Sequence, residues 1–305
     1  MSVRPASIRP PLLRSGDAIS IIAPAGPVPR DTFEKGAAIL KSRYRLVHDE
    51  RIFERQGYLA GTDEFRLIEL EHALGDPSTQ AVMLARGGYG ITRLLDRLSP
   101  TCFLDRPKMV IGFSDATALH GWLTKLGTTS IHGPVVTQLG LLPHDQAMRE
   151  LTTLSQLLES GDLPAPIVGL KSHGRDATVE GVLRGGNLEV LSRLLGTNYQ
   201  VDLDGAILLI EEVGERPYRI DRILTQLQMA GEFAHLRGVI VGDLIHCVEK
   251  DGSGPTAQEV IVECLRPLSI PILTGAPIGH GERNRAIPLN VAVRLDASNG
   301  TLTFV

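Results

Sequence analysis

Ser114 follows an apolar run, Met109 to Ile111, and a glycine, in the order Gly112-Phe113-Ser114-Asp115, and the segment Ala116 to Leu126 beyond it has helix character. A strand, a sharp turn and a helix with a serine at the turn would present the hydroxyl at the carboxyl edge of a sheet, near helix N-terminal amides. A nucleophile needs that placing. The spelling is not the common Gly-x-Ser-x-Gly elbow, because position 116 is alanine, and a serine here can equally cap the following helix. Acyl transfer by serine further requires a base, an acid to orient the base, and amide donors for the oxyanion.

The chain offers a candidate for each. His280 sits between glycines in PIGHGERN, and Glu211 follows the apolar run AILLI. Glu212 is its immediate rival, since neighbouring strand residues point to opposite faces, and Arg216 or Arg219 could pair with Glu211 instead. His120 reads as packed in the helix after Ser114, and His132, in IHGP, as a second histidine that could face a cleft. Arg86-Gly87-Gly88-Tyr89-Gly90 is a glycine-rich turn before a helix-like run. Successive amides there can form an anion nest, so the amides of Gly88 and Asp115 could flank a carbonyl attacked by Ser114; a plain tight turn is the alternative. The turn lacks the Gly-x-Gly-x-x-Gly pattern and the phosphate-loop lysine, and HExxH is absent from the chain, so no cofactor and no metal are expected.

The elements that must position these residues alternate through the first half. Ala18 to Ala23, Tyr44 to Val47, Ala81 to Ala85 and Met109 to Ile111 read as strands, with helices at Asp31 to Arg43, after a Thr62 cap, over ITRLLDRL (91 to 98) and after Ser114. Such alternation predicts a mostly parallel sheet whose ligand site lies beyond the strands' carboxyl ends, where the loops PAGP, RGGYG and GFSD belong. Gln146 to Leu158 reads as a helix, and Gly161 to Asp176, rich in Gly, Pro, Ser and charge, as the crossover to a second domain. There, Ala177 to Leu183 reads as a strand, Arg184-Gly185-Gly186 as a turn, and Asn187 as a helix cap. Ala206 to Ile210, Gly238 to Val241 and Ile270 to Leu273 read as strands, Tyr218 to Met229 as a helix, Thr256 and Glu259 as a capping box, and the end as a hairpin turning at Asn299-Gly300. The domains are therefore expected at 1–160 and 177–305, with 161–176 linking them.

Composition narrows the function. The 305 residues suffice for about two domains. Net charge is −4 and only 4% of residues are aromatic, which argues against a nucleic-acid surface. No apolar run reaches the roughly 18 residues of a membrane span, and residues 1–17 lack the apolar core of a secretory signal. Cys102, Cys247 and Cys264 are sparse and odd in number, which suggests a reducing, cytoplasmic compartment.

Taken together, IAPAGPV (22–28), YLAGTDEFR (58–66), ARGGYG (85–90), GFSDATALH (112–120), LRGGNLEVLSRLLGT (183–197), LLIEEVGERPYRIDRILTQL (208–227), GVIVGD (238–243) and PIGHGERN (277–284) resemble the LD-carboxypeptidases, serine peptidase family S66, over nearly the whole chain and in the family's order. That family includes muramoyl-tetrapeptide carboxypeptidases and microcin C immunity peptidases. The resemblance implies an α/β fold: a Rossmann-like N-terminal domain similar to class I glutamine amidotransferases, and a smaller β-rich, partly barrel-like C-terminal domain. It implies Ser114 as nucleophile, Glu211 as acid, His280 as base, the amides of Gly88 and Asp115 as oxyanion hole, and an active site formed where the domains meet. The implied reaction is hydrolysis of an amide between an L-centre and a terminal D-amino acid, as in D-Ala release from murein tetrapeptide during peptidoglycan recycling, by a homodimer acting on a small peptide. Arg86 is a candidate for the substrate carboxylate. The immunity peptidases cleave an aminoacyl-adenylate mimic and usually carry an aromatic platform in a C-terminal-domain loop; Glu249 to Thr256 has no aromatic residue, which favours peptides.

Overall fold

The computed structural model describes residues 8–250, 252 and 254–305. The signal-peptide reading of residues 1–17 and the loop reading at 249–256 thus fall partly outside the described residues. The chain forms two compact units, one holding residues 8–162 with Arg285–Pro288, the other Leu163–Asn284 with Leu289–Val305.

The first unit is built on strands too apolar to face water. β1 (Ala18–Ile22), β3 (Ala81–Leu84) and β4 (Met109–Gly112) are buried at every position, the signature of parallel strands covered on both faces. With β2 (Arg45–Val47) and β5 (Ser130–His132) they pair in parallel in the order β2-β1-β3-β4-β5. The order reverses between β1 and β3, where open α/β sheets collect ligands beyond the strand ends. The loops leaving those two strands are PAGP and RGGYG.

Helices α1 (Arg30–Lys41), α2 (Asp63–Gly75), α3 (Thr101–Leu104), α4 (Ala116–Lys125), α5 (Val136–Leu141) and α6 (His144–Glu159) complete the unit. The Thr62 hydroxyl caps α2, accepting from Phe65 N at 3.1 Å. Helices α1 and α5 touch backbone to backbone: a Cβ at Gly36 would stand 1.9 Å from the Val136 carbonyl oxygen, and one at Gly140 would stand 1.8 Å from that of Thr32. The predicted helix over 91–98 is instead one 3-10 turn, Ile91–Arg93, followed by turns. Gly90 enters it at φ 144° and Pro100 follows shortly after, so the segment is too short to repay helix nucleation.

In the second unit the sheet runs through β6 (Lys171–Gly174), β7 (Thr178–Asn187), β8 (Ala206–Val213), β9 (Gly238–Ile245), β10 (Pro271–Thr274), β12 (Ala292–Asp296) and β13 (Thr301–Phe304), in the order β13-β12-β7-β8-β9-β10-β6. The centre, β7 to β10, is parallel, and β6, β12 and β13 are antiparallel. β6 lies within the stretch read as a crossover. The predicted turn at 184–186 is strand: Gly185 and Gly186 pair with Leu209 and Ile210, bringing Asn187 opposite Glu211. Helices α7 (Leu188–Arg193), α8 (Pro217–Met229) and α9 (Ala257–Leu265) accompany it, with the Asn187 cap and the Thr256–Glu259 capping box both formed. The remaining strand, β11 (Ile287–Leu289), joins the first unit's sheet beside β5. Both sheets belong to one mixed α/β fold.

Candidate active site

Ser114 occupies the turn between β4 and α4 in the left-handed backbone region, at φ 62°. A non-glycine residue there is strained, and such strain concentrates at functional turns. The capping reading does not hold: the N-cap of α4 is Asp115, no side chain caps the helix, and Ser114 Oγ hydrogen-bonds nothing among the described residues. The turn is closed by backbone instead, with Ala116 N donating to Phe113 O at 3.2 Å and Thr117 N to Ser114 O at 2.9 Å.

Three loops pack around this serine. Gly87 abuts it so closely that a Cβ there would stand 2.9 Å from Ser114 Cβ. Gly26 N donates to Gly87 O at 3.1 Å, and a Cβ on Gly88, at φ 115°, would lie 3.0 Å from Gly26 Cα. Two buried side chains hold the loops. Asp115 accepts from Ile91 N at 2.9 Å, just after the RGGYG turn, and burial pushes its carboxyl up to about 6, opposed by that N–H and by Arg66. Arg66, wholly buried on α2, donates to the carbonyls of Pro24 and Gly90 and pairs with Asp63, which also binds Arg93. Sequence reading missed Arg66 and this role of the Asp115 side chain; only the odd placing of Arg66 among the apolar positions of α2 could have signalled it. Beside the loops lies a cleft of about 790 Å³, lined by Gly26–Pro29, Phe53, Arg55, Tyr58, Arg86, Gly88 and Tyr89.

The two histidines of this unit singled out from sequence, His120 and His132, are packed. His120 meets Gly112 O at 2.9 Å, and burial lowers it to about 4, so it stays neutral. His132 is fully buried on β5 with its ring 5.9 Å from that of Phe113.

In the second unit, β8 ends in two buried acids. β8 is buried through Glu212, so these consecutive acids are both enclosed while reaching different partners, and the register against β9 shifts between Ile210 and Glu212. Glu211 is 0% exposed, and its Oε2 lies 2.7 Å from His280 Nδ1. A carboxylate only accepts, so Nδ1 carries the proton and Nε2 is left as the basic nitrogen. Glu212 goes elsewhere, accepting from Asn187 Nδ2 at 3.0 Å, Glu189 N at 2.8 Å and Val213 N at 2.8 Å at the start of α7. Burial pushes its carboxyl up to about 7. Arg219 pairs with Glu215, not with either acid.

The His280 loop is fixed from both sides. Gly279 N donates to Asn284 Oδ1 at 3.0 Å and Gly281 N to Asp243 Oδ2 at 2.9 Å. A Cβ on Gly279, at φ 128°, would stand 2.9 Å from Glu211 Oε2, so glycine is what lets the carboxylate reach the imidazole. Asp243 and Asn284 were not singled out from sequence, because their work depends on loop partners far along the chain. Among the described residues no cluster of three His, Cys, Asp or Glu side chains could hold a metal ion, and no helix is long and apolar enough to cross a membrane.

Comparison with known proteins shows the family. The LD-carboxypeptidase N-terminal domain matches residues 19–133, and the LD-carboxypeptidase C-terminal domain matches residues 180–295. A Synechocystis relative is 37% identical over 309 residues, covering 100% of both chains. The murein tetrapeptide carboxypeptidase of Pseudomonas aeruginosa is 34% identical, covering 92% of this chain and 93% of its own. The solved structure of the microcin C7 self-immunity protein in complex with aspartyl sulfamoyl adenosine superposes with a TM-score of 0.88 over 98% of both chains, at 23% identity, a likeness of fold.

Proposed function

This chain is an enzyme belonging to the LD-carboxypeptidase family of serine peptidases, and on that premise we propose that it hydrolyses an acyl amide with Ser114 as nucleophile, His280 as general base and Glu211 as the acid that orients it. The observation that carries this reading is the 2.7 Å contact between Glu211 and His280. It fixes one imidazole tautomer and would stabilise the imidazolium formed when Nε2 takes the Ser114 proton. Ser114 Oγ then attacks the carbonyl carbon, and the amides of Gly88 and Asp115 hold the oxyanion. Protonated His280 delivers its proton to the leaving nitrogen. Water, deprotonated by His280, cleaves the acyl-enzyme and frees Ser114.

For the substrate we propose a peptide ending in a D-amino acid, with murein tetrapeptide as the leading case and Arg86 binding the terminal carboxylate. The activity named for the Pseudomonas aeruginosa relative supports this. A second reading, hydrolysis of an aminoacyl-adenylate analogue, draws on the ligand named for the self-immunity protein and on the exposed Tyr58 and Tyr89, whose ring centroids lie 5.9 Å apart at the cleft. Turnover of tetrapeptide and of aspartyl sulfamoyl adenosine, measured side by side on wild type and Ser114→Ala, separates the two. Release of D-Ala that Ser114→Ala abolishes supports the first. Turnover of neither would sink the acyl-amide assignment for both classes. We also propose a cytoplasmic homodimer, which sedimentation of the purified chain tests.

A further inference from the structure

Arginines around the first unit's loops are mostly committed to carboxylates: Arg30 pairs with Glu50, Arg51 with Asp49 and Arg66 with Asp63. Two that line the cleft differ. Among the described residues neither Arg55 nor Arg86 has a carboxylate partner. Each spends an N–H on a backbone carbonyl, Arg55 Nε on Gly57 O at 3.1 Å and Arg86 Nη1 on Pro27 O. A guanidinium has five donors in a planar fork that matches carboxylate and phosphoryl oxygens, so both retain donors for an incoming anion. The carbonyl contacts orient the forks in advance, which lowers the ordering cost of binding.

The rest of the cleft fits an occupant larger than one amino acid. Its volume of about 790 Å³ falls in the range of cavities that hold drug-sized ligands, about 300–1,000 Å³. Tyr58 and Tyr89 are 65% and 47% exposed. Each is an amphipathic surface that an apolar stretch of substrate would cover.

We propose that this cleft selects substrates carrying two anionic groups. Arg86, two residues before Gly88, takes the one beside the scissile amide, and Arg55 takes a second, carboxylate or phosphoryl, with Tyr58 and Tyr89 against the chain. The assignment of the reacting end rests on the serine-hydrolase reading above; the role of Arg55 and the tyrosines goes beyond it.

The test uses three matched peptides, acetyl-X-L-Ala-D-Ala, with X as L-Glu, L-Gln or O-phospho-L-Ser. Wild type should favour an anionic X over L-Gln by about tenfold or more in kcat/KM, the scale of a charge-assisted hydrogen bond. Arg55→Ala should bring that ratio close to one, mainly through KM, and Arg55→Lys should restore part of it. Preference for L-Glu assigns a carboxylate arm; preference for phosphoserine assigns a phosphoryl arm. No preference in wild type, or a preference that survives Arg55→Ala, overturns the proposal. If wild type cleaves none of the three, the hydrolase reading fails for these substrates, and the cleft is judged by calorimetric titration of the same peptides into Ser114→Ala protein. Binding favoured by the anionic X and weakened by Arg55→Ala then supports the subsite, whereas equal or absent binding overturns it.

Discussion

At Ser114 the proposed nucleophile and a left-handed backbone coincide in one residue. Ser114→Gly should lower kcat/KM by about 10⁴-fold or more, the usual loss when a triad nucleophile goes, while relieving a left-handed backbone worth about 1 kcal/mol. Its thermal midpoint should hold or rise; a clear fall in melting temperature would contradict the strain. Of the two acids of β8, Glu212 links stability to pH. The Glu212 carboxyl is raised by burial to about 7, above the ordinary 4.5. The folded state therefore holds its proton where the unfolded chain has released it, and stability is lost as pH rises through that window. Glu212→Gln should flatten the fall in melting temperature between about pH 4 and 7, at the cost of the Glu189 N–H facing the new amide nitrogen if that takes the Oε2 position. Glu211→Gln should instead lower kcat by about 10⁴-fold, through the imidazole tautomer. Ser114, His280 and Glu211 stand out as candidates by type and neighbourhood, and the close approach of Glu211 to His280 is what the fold adds. Asp243 and Asn284 do not stand out, and Arg66 does so only by its place among the apolar positions of α2, because the carbonyls and amides they serve are brought to them by the fold.

Loops carry the reactive groups, and elements decide where the loops stand. Arg66 ties α2 to the ends of two loops, so Arg66→Ala should cost about 2–5 kcal/mol, from two carbonyls left unpaired and the volume emptied, and thermal denaturation would read it as a large drop in midpoint. Gly36→Ala should cost at least about 2 kcal/mol, since its methyl has only backbone to meet on α5. The periodic strands and most caps were readable because burial and capping are local patterns. Two readings failed for one reason. Glycines at 185 and 186 signal a turn, yet the partner strand holds them in β7; the apolar spacing of 91–98 signals a helix, yet a positive-φ glycine and a proline confine it to a single 3-10 turn. In both cases residues outside the local pattern overrule it: a partner strand farther along the chain for the glycines, and the flanking Gly90 and Pro100 for 91–98.

At the scale of the whole molecule, the chain returns to its first unit only after building most of its second. Residues 287–289 supply the strand beside β5, shortly after the His280 loop. A fragment ending at residue 162 should therefore leave the β5 edge bare and aggregate, and adding a peptide of residues 284–290 should raise its soluble fraction on gel filtration. That arrangement also sets a timetable. On the ribosome, β5 is made 155 residues before Ile287, which at about 5–20 residues per second is roughly 8–30 s of waiting. Throughout that interval the serine-bearing sheet has an open side at β5, a docking edge for a chaperone, and that side is covered only after most of the second unit has been made.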